Sequence, residues 1–200
     1  MKIIEKFSFC SANYLTLKLK HNHQKRSVLY FGFQAIYGDL IKLIIMALIS
    51  GMVGSFWTTM LIAFSFAYLR KNAGGIHMKS EWGCILFTTG ICVIPGTIVN
   101  SFSITSFSLT IFFMIMVLIF CLVCLYKYSP MSSNIGDIPN KSKIAKFKKK
   151  SIISLVSLYL LAIGFIFFGQ YKSSISIVAG CMLEVFTILP YKRKKTIKLH

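Results

Sequence analysis

Two hundred residues that are 56% apolar, with 18 Phe, a mean hydropathy of +0.70 and only five acidic side chains, hold more hydrocarbon than a water-soluble globule of this size can hide. That balance excludes an ordinary soluble domain and places the chain in a bilayer. The 23 Lys and Arg against five Asp and Glu give a formal charge of +18; because the basic residues stand in blocks between apolar runs, the partner they imply is a membrane surface and not nucleic acid.

In chain order, residues 1–30 mix Ile4, Phe7, Phe9, Leu15 and Leu17 with Lys2, Lys6, Lys18, Lys25 and Arg26, a pattern that predicts an amphipathic interfacial segment of one or two helices. It lacks a continuous apolar run followed by small residues, so no removable signal peptide is expected. A first span is predicted over about 31–50. Asp39 and Lys42 interrupt it, but at three residues' spacing they share a helix face and can pair. After a turn at 50–55, a second span at about 54–69 leads into the polar stretch 70–84. The third run, about 82–100, carries Pro95-Gly96, which should kink it or end it early. The fourth, about 104–126, is free of charge and long enough to cross ~30 Å of hydrocarbon.

Residues 127–150 interrupt the apolar pattern with Pro130, Asn134, Gly136, Pro139 and Asn140 and then the basic run Lys141, Lys143, Lys146, Lys148, Lys149 and Lys150, which reads as an aqueous loop. Two further spans, about 151–169 and 174–190, precede the basic tail 191–200. The expected fold is a single all-α membrane domain over 1–200 with about six transmembrane helices. Six spans place 21 of the 23 basic residues on one side, leaving only Lys42 within a span and Lys172 opposite. The excess of Lys and Arg makes that side, with both termini, cytoplasmic in a multi-pass protein of the cell membrane.

The stretch 70–84 is the one polar island that holds a glycine pair, a histidine and a cysteine together: Arg70, Gly74, Gly75, His77 and Cys84. Cys92, Cys121, Cys124 and Cys181 fall inside apolar runs and read as small packing residues, and no metal-ligand set stands in an aqueous segment. A thiol near an imidazole suggests a nucleophile with its base. One straight helix would separate His77 and Cys84 by about 10.5 Å along its axis, too far to hydrogen-bond. The pair therefore predicts a bend within 77–84, for which Gly74, Gly75 and Gly83 give room. The competing reading is an interfacial histidine and an ordinary membrane-helix cysteine.

The order Arg70, Gly74-Gly75-x-His77, Cys84, in a loop between apolar spans of a basic chain, resembles the accessory gene regulator protein B (AgrB) family of Gram-positive quorum-sensing systems. The resemblance implies a membrane cysteine endopeptidase of the virulence-regulating type. Its substrate would be a small AgrD-type precursor of an autoinducing peptide. Cys84 would attack a peptide carbonyl, with His77 as base and then acid, and the acyl-enzyme would be captured by the peptide's own thiol or hydroxyl to close a thiolactone or lactone. No cofactor is implied. Gly74 and Gly75 allow φ > 0 and close backbone approach, or form only a plain turn; Arg70 holds a carboxylate or oxyanion, or flanks its span as a simple positive charge. Glu184, about 9 Å inside the end of the sixth span by helical rise, is a functional candidate as an intramembrane acid, with pairing to a lysine as the alternative. The run Lys141–Lys150 offers contact to an acidic precursor tail or to membrane lipids. The small size of the bundle suggests a homodimer. From another functional class, a small transporter or peptide exporter without covalent catalysis would account for the spans but not for the island.

Overall fold

The computed structural model describes residues 2–19, 23–75, 81–102, 107–129 and 141–189. Within them the chain is all-α: α1 (Lys2–Lys18), α2 (His23–Met52), α3 (Phe56–Ala73), α4 (Glu81–Ser101), α5 (Phe107–Tyr128), α6 (Lys141–Phe167) and α7 (Tyr171–Ile188). Five of these, over Lys25–Met52, Trp82–Ser101, Phe107–Tyr128, Ala145–Phe167 and Tyr171–Ile188, are long and apolar enough to cross a membrane. The phenylalanine-rich faces of α5 and α6 point outward, with Phe112, Phe167 and Phe168 exposed, as expected where lipid and not water is the solvent.

The remaining predicted span is α3. Its 18 residues include Arg70, Lys71 and Asn72 beside several Ser and Thr, too polar to face lipid along their length, and the fold puts it at the centre against α2, α4, α6 and α7. Thr58 Oγ1 donates to Gly96 O at 2.9 Å, so α3 runs antiparallel to α4 and covers the same length. Where α3 meets α7, a side chain at Gly180 would strike Ile62 O, Ser65 Cβ and Phe66 N. At Gly96 the Thr59 side chain fills the space of the missing Cβ. These two glycines let polar α3 pack closely between its neighbours, where interhelical contact replaces solvent.

Several boundaries differ from the sequence reading. Helix α1 ends at Lys18 and α2 starts at His23, so Lys25 and Arg26 open the first long helix instead of belonging to a separate surface segment. The two pack as a hairpin, with Ser11 Oγ and Tyr37 Oη 2.8 Å apart and Arg26 4.7 Å from the Phe9 ring. Pro95 does not end α4, which continues to Ser101. The basic run 141–150 is not a loop but the first turns of α6. The predicted turn residues Pro130, Asn134, Gly136, Pro139 and Asn140 and the tail 191–200 lie outside the described residues.

The helix directions sort the charges. Asn100 Nδ2 donates to Gly54 O at 3.2 Å, and Lys172 Nζ to Asn100 O at 2.7 Å, which gathers the 50–55 turn, the end of α4 and the start of α7 at one end of the bundle. At the other, Asn72 Nδ2 donates to Ser154 Oγ at 2.6 Å, and Ser129 and Ser151 hydroxyls lie 3.1 Å apart. That second end therefore carries Arg70, Lys71, Lys127 and the lysines that open α6. Gly180→Ala should lower the unfolding free energy in lipid bicelles by about 1–3 kcal/mol through overpacking. Gly164→Ala, where a Cβ meets nothing within 4 Å, should be neutral in the same denaturation.

Candidate functional site

The basic end of the bundle is built around the last turn of α3. Gly74 closes that helix at φ 78° and ψ −166°, with its N–H donating to Arg70 O at 3.0 Å, a backbone region that is essentially glycine-only. Gly75 is buried. A Cβ there would lie 3.1 Å from Thr187 Oγ1 and 3.2 Å from Arg70 Cζ. The two glycines thus do different jobs: the first turns the chain and the second slides it between α3 and α7.

Arg70 Nη1 lies 3.6 Å from Glu184 Oε2, and its guanidinium sits 5.4 Å from the Phe66 ring. Glu184 is fully buried. Thr187, one turn further along α7, donates to Glu184 O at 2.8 Å and lies 3.2 Å from Oε2. Oε1 has no hydrogen-bond partner among the described residues. The partner of the intramembrane acid is therefore an arginine from another helix and not a nearby lysine. Thr187 was not singled out by the sequence, although its spacing from Glu184 places it on the same helix face.

Cys84 lies in the first turn of α4 and is half-buried. Gly83 stands inside the same helix, so it does not supply the predicted bend; residues 76–80 lie outside the described residues. His77 lies outside the described residues. From α2, the Lys42 side chain pairs with Asp39 Oδ1 at 2.8 Å, the pairing that their three-residue spacing predicts.

The α6 lysines extend this end outward. Lys146, Lys149 and Lys150 are exposed, and Lys148 lies 3.7 Å from the Tyr126 ring. Lys141 and Lys143 lie on the first turn of the same helix. With no acid in that turn, the positive end of the helix dipole adds to the lysine charge, an arrangement that favours an anionic partner.

These features define a multi-pass helical membrane protein with a paired intramembrane arginine and glutamate, and a half-buried cysteine at the basic end of the bundle. Residues 8–188 match the model of the family described as Accessory gene regulator B, and the chain belongs to that family. An AgrB-like protein of Clostridium perfringens (strain 13 / Type A) is 27% identical over 92% of this chain and 86% of its own length. Accessory gene regulator protein B of Staphylococcus aureus (strain Newman) is 27% identical over 90% of this chain and 89% of its own. Protein FsrB of Enterococcus faecalis (strain ATCC 47077 / OG1RF) is 28% identical over 77% of this chain and 60% of its own. No solved structure matches.

Truncating one member of a buried ion pair leaves the other uncompensated. Arg70→Met should destabilise the protein by about 3–5 kcal/mol, and the double change Arg70→Met with Glu184→Leu should recover most of that loss. A denaturation cycle of the four proteins in bicelles measures both.

Proposed function

We propose that the chain is a membrane cysteine endopeptidase of a quorum-sensing system, which removes the C-terminal tail of an AgrD-type precursor and promotes cyclisation of the rest. The observation that carries this reading is the position of Cys84: a half-buried thiol in the first turn of α4, just after the glycine-closed end of α3, in a chain of the accessory gene regulator B family. Both termini and the basic end of the bundle face the cytoplasm on this reading, supported by the excess of Lys and Arg at that end.

In the reaction, His77 takes the proton of Cys84 as the sulfur attacks the scissile carbonyl. The same proton passes to the leaving amine when the C–N bond breaks and the tail departs. The product is a thioester between Cys84 and the new C-terminus. A thiol or hydroxyl within the peptide then attacks that carbonyl, closing the ring and returning a proton and a free thiol to Cys84. The thioester keeps much of the activation of the cleaved amide, and intramolecular capture gains from high effective concentration. A boundary position limits water, which would otherwise hydrolyse the intermediate.

Gly75 is wedged between Arg70 and Thr187, so the chain passes beside Glu184 two residues before His77. Glu184 Oε1, unpartnered among the described residues, is then the acceptor that orients the imidazole, while Arg70 holds Glu184 in place. Lys141, Lys143, Lys146, Lys148, Lys149 and Lys150 attract the acidic tail of the precursor and anionic lipid headgroups. A homodimer is the proposed assembly.

Co-expression with a precursor peptide tests the reading. Cys84→Ala should abolish cleavage, His77→Ala should slow it by at least ~100-fold, and Glu184→Gln should slow it by about tenfold or more. A precursor lacking its ring-closing nucleophile should accumulate as a hydroxylamine-sensitive adduct on Cys84. Cleavage that persists in Cys84→Ala refutes the mechanism, and export of uncleaved peptide favours a transporter.

A further inference from the structure

The outer side of the seam between α5 and α6 holds a groove that the peptidase reaction does not use. Its volume is about 760 Å³, and it is lined by Leu122, Val123, Tyr126 and Lys127 of α5 and Ile152 of α6. Leu122, Val123 and Tyr126 share one face of α5, at spacings of three and four residues. Cys121, Cys124 and Leu125 turn the other way, into the buried core with Leu155 of α6. The groove therefore opens away from the core, with Val123 and Tyr126 largely exposed, on the side where lipid is the solvent.

The basic end of the groove carries two cations. Lys127 lies near the end of α5, its Nζ 5.4 Å from the Tyr128 ring, and Lys148 of α6 reaches across the seam to lie 3.7 Å from the Tyr126 ring. Lys148 is half-buried, whereas Lys146, Lys149 and Lys150 are exposed. Neither α5 nor α6 contains an Asp or Glu, so neither ammonium has a carboxylate partner on these helices. Tyrosine rings and lysine heads above an apolar cleft mark the level at which hydrocarbon gives way to headgroups.

We propose that this groove holds one anionic phospholipid, with its phosphate bound by Lys127 and Lys148 and an acyl chain laid along Leu122, Val123 and Ile152. Charge complementarity selects the anion: its phosphate gains two cations, whereas a zwitterionic lipid brings a cation of its own and gains less. Volume selects a narrow occupant. A helix ~10 Å across would fill 760 Å³ within about two turns, too short a seat for an amphipathic segment. Position argues against the precursor peptide, since α5 packs on α6 and α7, while Cys84 lies on α4, which packs on α2, α3 and α7. The site narrows the general pull of the α6 lysines on headgroups to one place, and no part of it depends on chemistry at Cys84.

Native mass spectrometry of the full chain in detergent micelles tests the site, by counting bound lipid during titration with dioleoyl phosphatidylglycerol or dioleoyl phosphatidylcholine. One phosphatidylglycerol should bind per chain, about tenfold or more tighter than phosphatidylcholine. Lys127→Gln with Lys148→Gln should remove most of that advantage. Lys146→Gln with Lys149→Gln deletes the same charge from exposed positions of α6 and should leave the advantage nearly intact. Ile152→Trp fills the groove while keeping both cations; it should weaken phosphatidylglycerol binding, and it decides the matter if the first pair of changes prevents folding. Equal binding of the two lipids, an equal loss in the two double variants, or wild-type binding in Ile152→Trp overturns the proposal. Displacement of the lipid by glycerol phosphate at equal concentration would make this a phosphate site with no use for the groove, and displacement by a polyglutamate peptide would give it to an acidic peptide; either result also overturns it.

Discussion

A carboxylate with no exposure to solvent, Glu184, sits on a helix that is otherwise apolar enough to cross a membrane. Taking that group out of water costs several kcal/mol unless a partner offsets it, and the partner is Arg70, at the end of the most polar of the inner helices. Neither group can face lipid, so α3 and α7 must meet. Gly180 makes the approach close enough, because any Cβ there would collide with α3 backbone. The central position of α3 follows, and with it the placement of α4 on one side through Gly96 and of α6 on another through Asn72 and Ser154.

That constraint also supports the site. The last turn of α3 is held by Arg70 within its reach of Glu184, and the chain leaving it is pinned by the positive φ of Gly74 and the tight seat of Gly75. The start of α4 is held separately, through the packing of α4 on α2 and α3. The short connection between these two anchors carries His77. Its two ends are therefore set by different sets of contacts, and the position of the Cys84 thiol depends on how the bundle packs and not only on local sequence.

The apolar runs made the number and order of the long helices legible, since uncharged stretches of that length have few other solutions in a chain this hydrophobic. Boundaries were less legible wherever lysines continue a helix. Lys25 and Arg26, and the run 141–150, look like loop or surface residues by composition, but lysine is a good helix former and a helix projects beyond hydrocarbon at no desolvation cost. Pro95 misled in the other direction: inside a bundle, hydroxyls and neighbouring helices compensate for backbone groups a proline frees, and α4 continues. Of the candidate residues, Glu184 and Arg70 were each visible as charges out of place, yet 114 positions apart in the chain nothing in the pattern joined them. The Lys42–Asp39 pair was legible because three-residue spacing alone places both groups on one helix face.

The two ion pairs differ in what they hold. Glu184 is sealed in the bundle, so Arg70 cannot leave it without exposing an uncompensated buried charge; that pair ties α3 to α7 and is a fixed support. The Lys42–Asp39 pair lies within one helix, and Asp39 is largely exposed, so loss of its cation costs far less. A pair three residues apart on one helix fixes no interhelical geometry, and the packing of the basic end therefore depends on Arg70 and Glu184 and not on Lys42 and Asp39.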